Sequence, residues 1–443
     1  MDILIDQDPI YLGPTDYRDR RARNAQRRAQ QFGCVLDDGR VRDLALRGAL
    51  VDAMAKLGTD SLERDPYYST SIRRWIGGLE RGLRGLETGA GRAYLEYFSS
   101  LPGFLADFGA EYPEDWPDRP PFPTAVIHDS IRIVSVGAIA KSLRLSEQVN
   151  CTFPDFLTSD RYEDARGGRF DDVVRHLDAA LALLAERASI GYSGLKSAIH
   201  TIFVCRLGGG TASTGTRFDY PGILFAGLSD DLLATDDVSF TASVLYHEHC
   251  HGKMVLFAEE LDPALPRDAV YVSPFKNENR DQETMLHQLY PISMECCLRL
   301  ATLDTCDPSG RERAVGHLVA TANRLETLLE ITSRFDLAKA GVIRALVELA
   351  TTLVTQIHEE GGRFSDAVKE EFARDKRHVL KRHVWDIGQM LCRGVNVVDP
   401  WLSAVRTTPD VAEFCWRGEP RVIRRGERRR TESRYDVFAP LFK

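Results

Sequence analysis

Val244-Leu-Tyr-His-Glu-His-Cys-His-Gly-Lys-Met254 is the stretch around which the chain organises itself. His247 and His251 stand four residues apart, so on a helix their imidazoles share one face and Glu248 is the next residue round. This is the H-E-x-x-H arrangement, in which two histidines grip one divalent cation and a glutamate stands beside it. The motif requires a helix, and the apolar flanks from Val238 to Leu261 predict one. Histidines without partners would be costly to bury in so apolar a helix, and coordination offsets that cost. His249 and Cys250 fall at i+2 and i+3 from His247, off the shared face or only partly toward it, and read as packing or supporting residues.

Outward from this helix the periodicity is mostly helical. A polar segment runs to Asp281, followed by predicted helices over Gln282–Leu303, Arg311–Phe335 and Ala338–His358, the last stopped by Gly361-Gly362. Upstream, Ser197–Arg206 and Gly222–Phe225 are short apolar runs on either side of Gly208-Gly-Gly-Thr-Ala-Ser-Thr-Gly215, a pattern that predicts a small sheet or hairpin region. The glycine-rich turn lacks both the Lys-Ser/Thr ending of a P-loop and dinucleotide-fingerprint spacing, which leaves a flexible turn or part of a ligand pocket. Helices are also expected over Arg18–Gln31, Arg40–Leu57, Ile72–Ser99, Ala125–Leu145 and Phe170–Ala188. The prolines of 102–123 exclude regular structure and mark a boundary between an N-terminal helical region, 1–120, and a helical catalytic region, 121–443. The expected fold is therefore predominantly α-helical with a small β region near the active site.

Composition narrows the function. The chain has 443 residues, is 43% hydrophobic, and carries 57 basic against 65 acidic residues, a formal charge of −8. That balance gives no reason to expect nucleic acid as the main partner. The basic run Arg421–Arg430 lacks interleaved aromatics and reads as a solvated tail or salt-bridged surface. No apolar run approaches the roughly 20 residues of a membrane span. Nine cysteines without repeated CxxC spacing, together with an acidic start, point to a reducing cytoplasm. His378 and His383, in a Lys/Arg-rich segment, read as solvent-facing. Nothing in the sequence sets the oligomeric state.

A third metal ligand must come from outside the motif. His287, on the next predicted helix, competes with Glu259, Glu260, Glu283 and Glu295. A metzincin would need glycine at 254 and histidine at 257, where this chain has Met254 and Phe257. Two chemistries remain. In a zinc hydrolase Glu248 is the general base for water. In a non-haem iron oxygenase two histidines and one further ligand leave positions for an oxo acid and dioxygen. A non-catalytic helical scaffold is the remaining alternative.

A longer run bears on this choice. His247-Glu-His-Cys-His-Gly-Lys-Met254, Leu261-Asp-Pro263, Tyr271-Val-Ser-Pro-Phe-Lys-Asn-Glu-Asn-Arg-Asp281 and His287-Gln-Leu-Tyr290 together resemble the HExxH-type, 2-oxoglutarate-dependent peptide β-hydroxylases that tailor ribosomally made peptides. The resemblance covers roughly residues 220–300. It implies Fe(II) held by His247, His251 and His287, and a peptide or amino-acid-like substrate hydroxylated at an unactivated carbon. Lys253 and Arg280 match the family's lysine and arginine and are implied to bind the 2-oxoglutarate cofactor. A guanidinium fork suits a carboxylate better than an ammonium does. Arg280 could also simply pair with Asp281, Glu278 or Glu283. Under this reading Glu248 orients a ligand imidazole or water. The chain departs from the family at Phe275, where tryptophan is usual, at Asn277 and Glu278, where an acidic pair is common, and at Asp281, where proline is expected.

Overall fold

The computed structural model describes residues 8–10, 124–135, 162–163, 168–199, 201–207, 212–215, 223–235, 238–261, 270–275, 279–306, 308–335 and 341–426. The helices expected over Arg18–Gln31, Arg40–Leu57 and Ile72–Ser99 lie outside these residues, as do the proline-rich crossing and most of the glycine-rich turn. The described chain is predominantly helical with a smaller strand-containing part, as the periodicity implies. It falls into two compact units, one within residues 12–252 and one combining 1–11 with 253–443. Among the described residues no helix is long and apolar enough to cross a membrane.

The first unit is built on a mixed sheet in the order β1-β2-β4-β6-β5. β1 (Thr124–Ile127) and β2 (Ile131–Ser135) form an antiparallel hairpin in which Ile127 faces Ile131. The helix expected over Ala125–Leu145 is thus corrected over 124–135. Ile127, Ile131 and Val134 repeat at helical spacing, but this run is rich in β-branched residues, which lose rotamer freedom in a helix. His128 and Asp129, at φ 48° and 67°, are the central residues of the turn closed by Ser130 N donating to Ile127 O at 3.3 Å, and both are residue types that tolerate left-handed backbone.

α1 (Gly168–Arg187) and α2 (Ser189–Ala198) then carry the chain across to β4 (Thr201–Leu207), parallel to β2. The two-residue β3 (Tyr162–Glu163) pairs with β4. β6 (Ile223–Ser229) runs parallel to β4, and β5 (Ala212–Gly215), between them in sequence, lies antiparallel on the outer side of β6. Ile202 to Cys205 and Leu224 to Leu228 are buried on successive residues, as strands covered on both faces must be. After the short α3 (Asp230–Thr235) comes α4 (Val238–Leu261), the helix that carries the HExxH motif.

In the second unit, β7 (Tyr271–Val272) pairs with β8 (Asn279–Arg280) ahead of α5 (Gln282–Ala301). Asp281 caps α5 by accepting from Thr284 N at 2.8 Å. α6 (Pro308–Thr332), α7 (Gly341–Gly361) and α8 (Asp366–Cys392) follow, burying Leu and Ile stripes such as Ile343, Leu346, Leu353 and Ile357 of α7. A three-stranded sheet, β9 (Leu402–Thr407), β10 (Val411–Trp416) and β11 (Glu419–Arg424), lies on α8 and places Arg421–Arg424 in a strand instead of a tail. A Cβ at Gly388 of α8 would stand 2.5 Å from Ile423, so only glycine lets β11 approach so closely.

His383 is not solvent-facing. It is buried, with Nε2 2.8 Å from Asp399 Oδ2, while Asp399 Oδ1 accepts from Trp401 N and Trp416 Nε1. The charge-rich look of its surroundings came from exposed neighbours such as Arg377 and Lys381 on other faces of α8.

Candidate metal centre

α4 turns a buried stripe inward through Ala242, Leu245, Tyr246 and Cys250, and His249 is buried as well, in a tilted ring contact with Tyr246. Val244, His247 and His251 lie on its less buried face. Tyr246 rests directly on α2 at Gly191, where a Cβ would come within 2.7 Å of the phenol oxygen. His176 of α1 meets the Thr241 hydroxyl at 2.7 Å. The start of α4 is therefore fixed from two sides, and the motif follows directly.

His247 Nε2 and His251 Nε2 are 3.1 Å apart, their rings at 74°. Two nitrogens bound to one cation at about 2.0–2.1 Å each would stand roughly 2.9–3.4 Å apart. Without a cation the same approach requires one imidazole to donate to the other's lone pair. The pair thus fits a two-point grip on a divalent ion. Glu248 is 5% exposed and its Oε1 accepts from the Thr214 hydroxyl on β5 at 3.0 Å. Among the described residues no three His, Cys, Asp or Glu side chains come together as a metal-holding group.

The remaining residues singled out in the sequence lie in the second unit. His287 is buried on α5, its Nε2 3.8 Å from Glu283 Oε1 one turn earlier. Arg280 lies on β8, opposite Tyr271. Tyr271 in turn accepts from Gln282 Nε2 at 2.8 Å, and Ser273 donates to Gln288 at 2.7 Å, so the Tyr271–Asp281 run is tied to the start of α5. Lys253 is buried, and its ammonium is held by Asp8 and lies 2.9 Å from Tyr290 Oη. The carboxylate that meets this ammonium is therefore one from the chain itself.

Two of these partners were not foreseen. Thr214 belongs to the glycine-rich stretch, whose composition left a flexible turn or part of a ligand pocket open and singled out no residue. Asp8 is 245 residues from Lys253 and no local pattern links the two. The chain matches no protein-family model and no curated protein.

Proposed function

We propose that the protein is a metal-dependent enzyme acting on an extended peptide, and specifically an Fe(II)- and 2-oxoglutarate-dependent oxygenase that hydroxylates an unactivated carbon. The observation that carries the metal reading is the 3.1 Å approach of His247 Nε2 and His251 Nε2 on one turn of α4. The oxygenase form and the choice of His287 as third ligand rest on the motif resemblance. When bound, the iron supplies the redox chemistry that couples oxidative decarboxylation of the oxo acid to hydroxylation.

The chain's own residues have the remaining tasks. His247 and His251 hold the ion. Glu248, kept in place by Thr214, orients a water or a ligand imidazole. Arg280 offers its fork to a carboxylate of the oxo acid. β5 ends the sheet, and among the described residues no strand pairs with its outer side. An extended peptide can add to such an edge by main-chain hydrogen bonds, which would bring it alongside Glu248.

A zinc-dependent hydrolase is the second reading. It is favoured by the buried carboxylate of Glu248 directly beside the histidine pair, where a general base for water is needed.

Anaerobic titration with Fe(II) and 2-oxoglutarate tests the first reading. A weak visible charge-transfer band that disappears in His251→Ala is expected. Absence of that band, combined with peptide cleavage by zinc-loaded protein, overturns the oxygenase in favour of the hydrolase.

A further inference from the structure

Asp8, Lys253 and Tyr290 form a buried triad. The Lys253 ammonium meets Asp8 Oδ2, Tyr290 Oη donates to Asp8 Oδ1 at 2.8 Å, and Lys253 Nζ lies 2.9 Å from the same phenol oxygen. Asp8 Oδ1 also accepts from Ile10 N at 2.9 Å, and Ile10 is itself buried. The Lys253 and Asp8 side chains are each 2% exposed. An ammonium this deeply buried needs a counter-charge, since removing one partner of a buried ion pair leaves the other charge stranded.

The three residues come from three places in the chain. Lys253 is on α4, two positions beyond His251. Tyr290 is on α5, three positions beyond His287, so the two side chains share a face of that helix. Asp8 reaches both. It is the one carboxylate of the triad, and it draws an ammonium on one helix and a hydroxyl on the other to a single point.

We infer that Asp8 is a positioning residue: it is the built-in counter-charge of Lys253, it fixes α4 to α5 at Tyr290, and Lys253 does not bind the oxo acid. The consequence for metal binding rests on the metalloenzyme reading above, whereas the tie between Asp8, Lys253 and Tyr290 does not.

The experiment compares full-length wild type with Asp8→Asn, Lys253→Met, the double variant and Tyr290→Phe. Co(II) affinity is read from the visible absorption of folded protein, alongside the urea midpoint and 2-oxoglutarate binding. Each of the first two single variants should lower the midpoint and weaken Co(II) binding by about tenfold or more, the range seen when residues supporting metal ligands are removed. The double variant removes both charges of the pair together and should recover to within about threefold of wild type. Tyr290→Phe keeps the ion pair and should show a smaller loss in the same direction.

Wild-type behaviour of Asp8→Asn in Co(II) affinity and midpoint overturns the inference. So does tighter 2-oxoglutarate binding by Asp8→Asn, which would make Asp8 a displaceable occupant of an oxo-acid site. If wild type binds no Co(II), the metalloenzyme reading fails by itself, and the midpoints still decide: recovery in the double variant supports the triad and additive losses overturn it. Should Asp8→Asn fail to fold, a folded double variant supports the inference and an unfolded one overturns it.

Discussion

The Thr214 hydroxyl donates to Glu248 Oε1 at 3.0 Å, so the edge strand of the sheet and the glutamate of the HExxH motif hold one another. Thr214→Val keeps the side-chain shape and removes the donor from a buried carboxylate. A loss of about 1–3 kcal/mol is expected, as for a buried acceptor left short of a partner. Chemical denaturation checks it, with Thr214→Ser, which retains the hydroxyl, expected to stay close to wild type.

Gly191 has no room for a side chain because Tyr246 lies against it. A methyl group there would sit 2.7–2.8 Å from the phenol ring and its oxygen, so Gly191→Ala should cost about 1–3 kcal/mol by overpacking. Tyr246 immediately precedes His247, and Co(II) affinity should fall with stability. Gly252→Ala is the control. Nothing lies within 4 Å of the added methyl, and replacing a helical glycine should stabilise by up to about 1 kcal/mol. Thermal melts of the two variants should shift in opposite directions.

His317, partly buried on α6, has its pKa pushed from 6.5 down to about 3, first by desolvation and then by the Arg299 guanidinium beside it. The folded state therefore keeps the ring neutral, whereas the unfolded chain binds a proton below about pH 6.5. Stability from this group is complete above pH 6.5 and is lost as pH falls from there toward 3, at up to about 1.4 kcal/mol per pH unit. Urea midpoints measured from pH 7 to pH 5 should fall more steeply for wild type than for His317→Gln.

His383 and Asp399 join α8 to the turn that leads into β9. Asp399→Asn removes the charge while keeping the shape, leaving Trp401 N and Trp416 Nε1 with an acceptor but His383 without its carboxylate. A cost of about 1–3 kcal/mol, as for a lost buried hydrogen bond to a charged group, is expected. Loss of Trp near-ultraviolet dichroism at a lower urea concentration than in wild type would register it. An unchanged midpoint would mean that the pair contributes nothing net.

Long helices were legible in the sequence because their stripes persist over several turns. α4, α5, α6 and α7 start and stop close to where periodicity, the polar segment ending at Asp281 and the Gly361-Gly362 stop indicate. The β1–β2 hairpin was not, since Ile127, Ile131 and Val134 mimic a helical stripe and the His128-Asp129 turn contains no glycine to announce it. The HExxH pair needs only a helix, so its geometry followed from spacing. Partners that depend on tertiary approach did not: Thr214 to Glu248 crosses 34 positions, and Asp8 to Lys253 crosses 245. His383 misled for the opposite reason, because a charge-rich neighbourhood in sequence says little about one residue's face of a helix.

Among the described residues no strand pairs with the outer side of β5, and the backbone groups by which a peptide would add there are the same for every amino acid but one. A peptide laid along it would be held by its backbone whatever its side chains, so tolerance toward sequence comes with the strand itself. Proline has no amide hydrogen to give, and placed at a pairing position it would break the match. Scanning a proline through a bound peptide would therefore trace, residue by residue, how far the docking extends.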